Sequence, residues 1–307
     1  MRPNLFSEEG FFYRGNLHSH STRSDGMLEP EQLCDAYKKN GYDFICLSDH
    51  LVGIYGYPIT DTSEFRDNHF TTLMGAEVHS GAMGNGELWH LLAVGLPTNF
   101  KPPEAPNFKP IDGMESAASV AQRCRDAGAF VAIAHPQWSG LTLNDARSIT
   151  AAHAVEIYNH GCYVGAGRGD GFSILDLLLT DGKKINLIAT DDSHFTEPDH
   201  FGGWVMVKAK RNNPDTLLTA LKAGHFYSTQ GPTFQDIELF DNEIIIKCSP
   251  CTTIILAGKG SAAEARHGQS MTRASIKLDR FYKHDWLRVT IVDAAGQRAW
   301  SNPIWRC

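Results

Sequence analysis

The sequence predicts an α/β fold of alternating strands and helices, followed by a small all-β module. Three observations carry this. Strand-like apolar runs alternate with helix-like amphipathic runs as far as about Thr229, the pattern of a parallel sheet flanked by helices. Polar residues of ligand type recur at the C-terminal ends of those runs, as expected of a barrel with its site on that face. An open doubly wound sheet would gather them at one switch point. After Gly231-Pro232 the alternation stops, and short strands separated by turn signals follow. The expected division is 1–229 for the α/β unit and 230–307 for the β module.

The elements can be justified in order. Glu29-Pro30-Glu31 opens the first helix, with Leu33, Ala36 and Tyr37 on one face and Gly41 as its stop. Further helices are expected at 114–127, 172–179 and 214–223, the second and last of these four followed directly by Gly128 and Gly224. Buried strands are expected at 43–47, 130–134, 154–158 and 185–189. Residues 97–112 hold five prolines (Pro97, Pro102, Pro103, Pro106 and Pro110) and read as a long loop, either a lid or a substrate-side wall. In the β module, strands are expected at 237–240, 243–247, 253–256, 274–278 and 287–292. Asp241-Asn242 and Ala295-Gly296 mark turns there, and a sandwich suits such short strands.

Composition narrows the function. The chain has 307 residues, 42% of them hydrophobic, enough for a large core. Its formal charge of −7 and lack of a long basic run argue against extended nucleic-acid binding. No apolar run approaches a membrane span, and the N-terminal stretch has no signal-like apolar core, so a cytoplasmic protein is expected. Seven cysteines show no disulfide-framework spacing. Cys248-Ser-Pro-Cys251 lacks the second pair that a closed zinc site needs, and reads as structural or incidental thiols.

The chemistry lies in the histidines. In His18-x-His20 the two imidazoles can share one side of an extended segment, and the following turn can return Asp25 to them. Imidazole and carboxylate suit zinc, manganese or iron. Further candidates follow strand-like runs: His50, Glu77, His135, and Asp192 with His194, while His90 lies inside an apolar strand. Each alone has a bland use as loop polarity, a strand-end hydrogen bonder, a core histidine or a helix cap. Their joint recurrence on one face points to metal chemistry.

In order, His18-x-His20-x4-Asp25-Gly26, Ser48-Asp49-His50, Gly75-Ala-Glu77, His90-Leu-Leu-Ala-Val-Gly95, Ala134-His135-Pro136 and Asp192-x-His194 resemble the PHP (polymerase and histidinol phosphatase) superfamily of metal-dependent phosphoesterases. The resemblance covers about 12–228. It implies a distorted seven-stranded β/α barrel with two or three divalent ions held by His18, His20, Asp25, His50, Glu77, His90, His135, Asp192 and His194. Gly224-His-Phe-Tyr-Ser-Thr-Gln-Gly231-Pro232 and Arg298-Ala-Trp-Ser-Asn-Pro-Ile304 look like the carbaryl-hydrolase branch, whose members commonly carry an appended β module. Leu51 departs from the Asp or Asn that many relatives place after the His50 position.

The resemblance implies hydrolysis of phosphate esters of a small, anionic molecule or nucleotide. Nine ligands exceed one ion, so a shared carboxylate, Glu77, bridges two. A metal-bound hydroxide is then the nucleophile, and a third ion meets a substrate oxygen. Asp49, Glu156 and Asp191 either orient ligand imidazoles from behind or hydrogen-bond strand ends. Arg168 and Arg23 are candidate clasps for phosphate or carboxylate, with solvated loop arginine as the alternative. His160 is a candidate proton donor to the leaving group, or a solvent-facing residue. The other readings are a metal-dependent carbamate, ester or amide hydrolase, and a non-catalytic binding protein using Trp286, Trp300 and Trp305. Core packing is the commoner use of such tryptophans.

Overall fold

The computed structural model describes residues 5–306. The first part of the chain runs β1 (Phe11–Asn16), α1 (Pro30–Lys39), β2 (Phe44–Leu47), β3 (His50–Leu51), β4 (Thr71–Ala82), β5 (Leu88–Val94), α2 (Ala117–Asp126), β6 (Phe130–Ile133), α3 (Leu143–Ser148), β7 (Ala154–Asn159), α4 (His160–Ala166), α5 (Phe172–Thr180), β8 (Asn186–Thr190), β9 (Trp204–Ala209), α6 (Pro214–Ala223) and β10 (Phe226–Thr229). Then come β11 (Phe234–Leu239), β12 (Glu243–Ala257), β13 (Ala263–Lys277), β14 (Trp286–Val292), β15 (Arg298–Ser301) and β16 (Ile304–Trp305). No helix among the described residues is long and apolar enough to cross a membrane.

Local signals explain the helix ends. In α1 the Gln32 side chain accepts from the Glu29 N–H at 3.2 Å, and Pro30 occupies the first turn, where its missing N–H costs nothing. The second helix starts at Ala117, three residues later than expected, because Ser116 caps it by accepting from the Ser119 N–H at 3.2 Å. Asn213 caps α6 in the same way at 3.0 Å, and Gly224 ends it at φ 79°.

One run of the sheet orders its strands β1-β2-β4-β5-β6-β7-β8. The expected all-parallel arrangement fails at one place: β5 lies antiparallel to both β4 and β6. The β4–β5 connection is a tight turn closed by Met83 N–H to Glu87 O at 2.8 Å. A parallel return needs a crossover of a dozen or more residues. The other four pairs in this run are parallel. Beyond β8, Ser193 forms a parallel bridge with Ser19, just beyond β1, so the first and last strands of the run meet at their outgoing ends.

Side-chain alternation sorts the core. Phe44, Cys46, Leu92, Val94, Phe130, Ala132 and Ile188 share one inner cluster with Leu17 and Leu73. Their sequence neighbours Leu91, Ala93, Val131, Ile133 and Leu187 face outward into a second cluster with α2 and α5 residues. Burial on both faces accounts for the near-continuous apolar strand sequences.

The C-terminal strands continue the same sheet. β9 and β10 pair antiparallel, β10 pairs β15, and the order runs on through β14 and β12 to β11. The expected strands at 243–247 and 253–256 are one strand, β12, with register breaks on both sides of Cys251. Pro250 lies in that break, where its missing N–H interrupts no regular ladder. Cys248 and Cys251 are buried free thiols with Sγ atoms 3.7 Å apart. Trp286 and Trp300 are buried in the outer core of the first part, and Trp305 packs against it, which is the core use weighed above.

Candidate metal centre

All nine candidate ligands come together. His18 and His20 follow β1, Glu77 lies on β4, His50 on β3 beside it, and His90 on β5. His135 follows β6, and Asp192 and His194 follow β8. Glu77 is the hub. Its Oε2 lies 2.7 Å from His50 Nδ1 and 3.6 Å from both His18 Nε2 and His20 Nε2. Its Oε1 lies 2.7 Å from His90 Nδ1 and 3.0 Å from His135 Nε2. Asp192 Oδ1 sits 3.1 Å from His18 Nε2 and 3.0 Å from His20 Nε2. Asp25 reaches His50 Nε2 at 3.3 Å and His194 Nε2 at 3.5 Å.

Backbone strain helps to aim two of these groups. His135 has φ 23° and Asp192 has φ 55°. Non-glycine residues held there cost about 1–3 kcal/mol each and persist where surrounding structure holds them. Here Glu156 accepts from the His135 N–H at 2.6 Å, and the His18 carbonyl accepts from the Asp192 N–H at 2.9 Å.

Second partners set ring tautomers. Glu156 Oε1 lies 3.0 Å from His18 Nδ1. A carboxylate only accepts, so the proton sits on Nδ1 and the Nε2 lone pair faces Glu77 and Asp192. The Asp192 carbonyl does the same for His194 Nδ1 at 2.9 Å. Glu156 is itself braced by Thr190 and, at 2.9 Å, by Asn159. Asp49 and Asp191 touch no ligand imidazole. Asp49 accepts from Ser21 N–H, Ser21 Oγ and Ser24 Oγ at 2.7–2.8 Å, pinning the turn between His20 and Asp25. Asp191 accepts from Tyr37 Oη at 2.7 Å and from the Phe201, Gly202 and Gly203 N–H groups at 2.8–2.9 Å. Burial raises its pKa to about 6 against those bonds.

The protonation pattern is that of anions packed among imidazoles. Burial opposes charge on Glu77, but His50 and His90 beside it hold its carboxyl well below the usual range. Asp192 is likewise held low against burial by His18 and His20. Against burial, Glu77 and Asp25 raise His50 to about 10. Burial, reinforced by His50 and His194, lowers His20 to about 4.

Two buried atoms, His18 Nε2 and Glu77 Oε2, have no hydrogen-bond partner. Such an orphan costs about 1–3 kcal/mol. They lie in groups of ligand-type atoms within 4.8 Å of one another, His18 with Glu77 and His135, His18 with His20 and Asp192, and Glu77 with His50 and His79, beside a further group of His20, Asp25, His50 and His194. Nitrogen and carboxylate donors in this spacing fit divalent zinc, manganese or iron, and an ion would satisfy both orphans.

A cavity of about 710 Å³ opens over the cluster, lined also by Met83, Asn85, Glu87, Phe108, Trp138 and Arg168. Phe108, from the proline-rich loop, places its ring 4.9 Å from His50, so that loop walls the site. Trp138 stands 4.9 Å from His135. Of the candidate substrate groups, only Arg168 lines this cavity, and its side chain makes no ion pair among the described residues. Arg23 is exposed and pairs with Glu29 at 3.8 Å. His160 bonds Tyr158 Oη through Nδ1 at 2.8 Å and lines a different cavity, between α4 and the β14–β15 turn. Three residues at the site were not foreseen: His79, Phe108 and Trp138. For His79 a signal existed, since Glu77-x-His79 repeats the alternate spacing of His18-x-His20.

Comparison with known proteins agrees with this architecture. No family model matches the chain, and no curated protein matches it. Among solved structures, a two-domain protein from Bacteroides vulgatus containing a predicted PHP-like metal-dependent phosphoesterase superposes with TM-score 0.51 at 15% identity, over 95% of each chain. An amidohydrolase from Chromobacterium violaceum, with bound sulfate and no metal, covers 60% of this chain and 89% of its own at 13% identity and TM-score 0.45. The fold is therefore similar to that of the Bacteroides vulgatus protein over nearly the whole chain.

Proposed function

We propose that the chain is a metal-dependent hydrolase of phosphate esters, acting on a small anionic molecule or nucleotide. The observation that carries it is the convergence of nine imidazole and carboxylate groups around the orphaned Glu77 Oε2 and His18 Nε2, at the floor of an open cavity. Two or three divalent ions held by these nine residues would supply an acidified water and offset charge on the phosphoryl oxygens. The chain's own groups do the rest. Glu156 keeps the His18 proton on Nδ1, and the Asp192 carbonyl keeps that of His194 there. Arg168 clasps a free phosphate oxygen, and Phe108 and Trp138 exclude water around the leaving group. His160 and Arg23 have no part in this reading.

The same reading takes the seven-strand run as a distorted barrel, supported by the Ser19–Ser193 bridge and the shared inner cluster. It keeps 230–307 as a supporting β unit. The test is turnover of a phosphate-ester panel with manganese, zinc or iron. Activity no greater than that of the His18→Ala/His20→Ala double variant would defeat it.

A carbamate, ester or amide hydrolase of the carbaryl-hydrolase type is the second reading. Leu51 favours it, being fully buried in the outer core and offering no polar group to a phosphate. Aryl carbamates and aryl esters turned over faster than the matching aryl phosphates would establish it.

A further inference from the structure

His18 and His194 are set by acceptors that cannot donate, a carboxylate and a carbonyl. His50 is different, because what stands behind it is another histidine. His50 Nδ1 lies 2.9 Å from His79 Nε2 in hydrogen-bond alignment. Glu77 Oε2 is nearer still, at 2.7 Å, but has no aligned hydrogen-bond partner. The proton between the two rings therefore lies on the His50–His79 line.

Which ring owns that proton follows from the far side of His79. Its Nδ1 lies 3.2 Å from the Trp89 carbonyl oxygen. A carbonyl only accepts, so His79 Nδ1 carries hydrogen. A neutral His79 then has only a lone pair on Nε2, and His50 must donate from Nδ1. This leaves His50 Nε2 facing Asp25 at 3.3 Å, in the group that also holds His20 and His194. The sheet register explains why His79 can do this. It pairs across strands with His90, which puts the Trp89 carbonyl beside its ring. Glu77 and His79 alternate on one face of β4, so His79 reaches His50 beside Glu77. His79 is fully buried, and Phe108 packs edge-on against it at 5.3 Å.

We propose that His79 is a positioning residue that holds His50 with its proton on Nδ1, presenting Nε2 to the ion held with Asp25 and His194. The proposal rests on the metal-hydrolase reading for the ion, but the tautomer can be read without metal. The first measurement is the long-range proton–nitrogen spectrum of the metal-free full chain labelled at histidine. The expected result is a proton on Nδ1 of both rings and a bare Nε2 on His79. A bare Nδ1 on His50, or a proton on Nε2 of His79, overturns the proposal.

The second measurement counts bound ions by elemental analysis during chelator competition, with melting curves to confirm folding. In His79→Leu one ion should weaken about 10- to 100-fold, the usual effect of losing a group that orients a ligand. The remaining ions should hold as in the native protein. His79→Gln, whose amide oxygen can accept from His50 Nδ1, should restore most of that loss. Native-like binding in His79→Leu, or no rescue by Gln, counts against the relay. A native chain that binds no ion defeats the metal reading instead, and the nitrogen spectrum still decides the tautomer.

Discussion

Replacing Glu77 with Gln tests the hub of the site. The carboxylate is fully buried and approaches His18, His20, His50, His90 and His135 within 3.6 Å. Its two oxygens face different groups of imidazoles, so under the proposed function it would serve two ions. Each ion supplied at about 1,000 times its dissociation constant stabilises the folded state by about 4 kcal/mol, so two contribute about 8 kcal/mol. Unfolding entropy of about 2.1 cal/mol/K per residue gives about 0.6 kcal/mol per degree for a chain of 307 residues. The native melting temperature should therefore rise by about 12 °C from chelator-treated to metal-loaded protein. In Glu77→Gln, which keeps shape but loses the charge, a weakening of each ion by about 100-fold should shrink the rise to about 4 °C. The assay is a melting scan at one fixed rate with parallel elemental analysis. A Gln variant that keeps both the full rise and the full ion count would refute the bridging role.

Three further outcomes follow from the geometry. Glu156→Leu removes the acceptor that fixes the His18 tautomer and should weaken ion binding about 10- to 100-fold in chelator competition; unchanged binding would remove Glu156 from the site. Arg168→Ala should raise KM for phosphate esters by about 10-fold or more, the scale of one charged hydrogen bond, while Arg23→Ala leaves it unchanged; equal effects would contradict the placement of the two arginines. His153, just before β7 and so at the opposite end of that strand from the cluster, accepts from the Val131 N–H at 3.0 Å. Burial, helped by Arg125 and Lys222, lowers its pKa from 6.5 to about 4. The unfolded chain therefore binds the extra proton first, and stability is full above about pH 6.5 and falls as pH drops toward 4. Discounted for partial exposure, the loss is about 1–2 kcal/mol. Urea midpoints at pH 7.5 and 5 should show it in the native chain and less of it in His153→Gln. An identical pH loss in both would rule out His153 as the cause.

Much of the site was legible in order along the chain. His18-x-His20, the strand-end His50 and His135, and Asp192-x-His194 could be read because alternation and strand ends are local properties. Ring tautomers could not, since they depend on partners distant in sequence, such as Glu156 for His18. His160 follows a strand end just as His135 does, yet α4 begins there and turns it toward Tyr158. Arg23 lies within the ligand motif, but the turn that returns Asp25 points it to solvent.

The sequence by itself determined the α/β alternation, the ligand types and their spacing, because these follow from side-chain periodicity and chemistry. Only the tertiary structure decided which of these groups lie together, that β5 runs against its neighbours, and that the C-terminal strands extend the same sheet. It alone placed His79 behind His50, because a cross-strand register brings the Trp89 carbonyl to one side of that ring. Hydrogen-bond direction is a property of three groups in space, and no spacing along one chain encodes it.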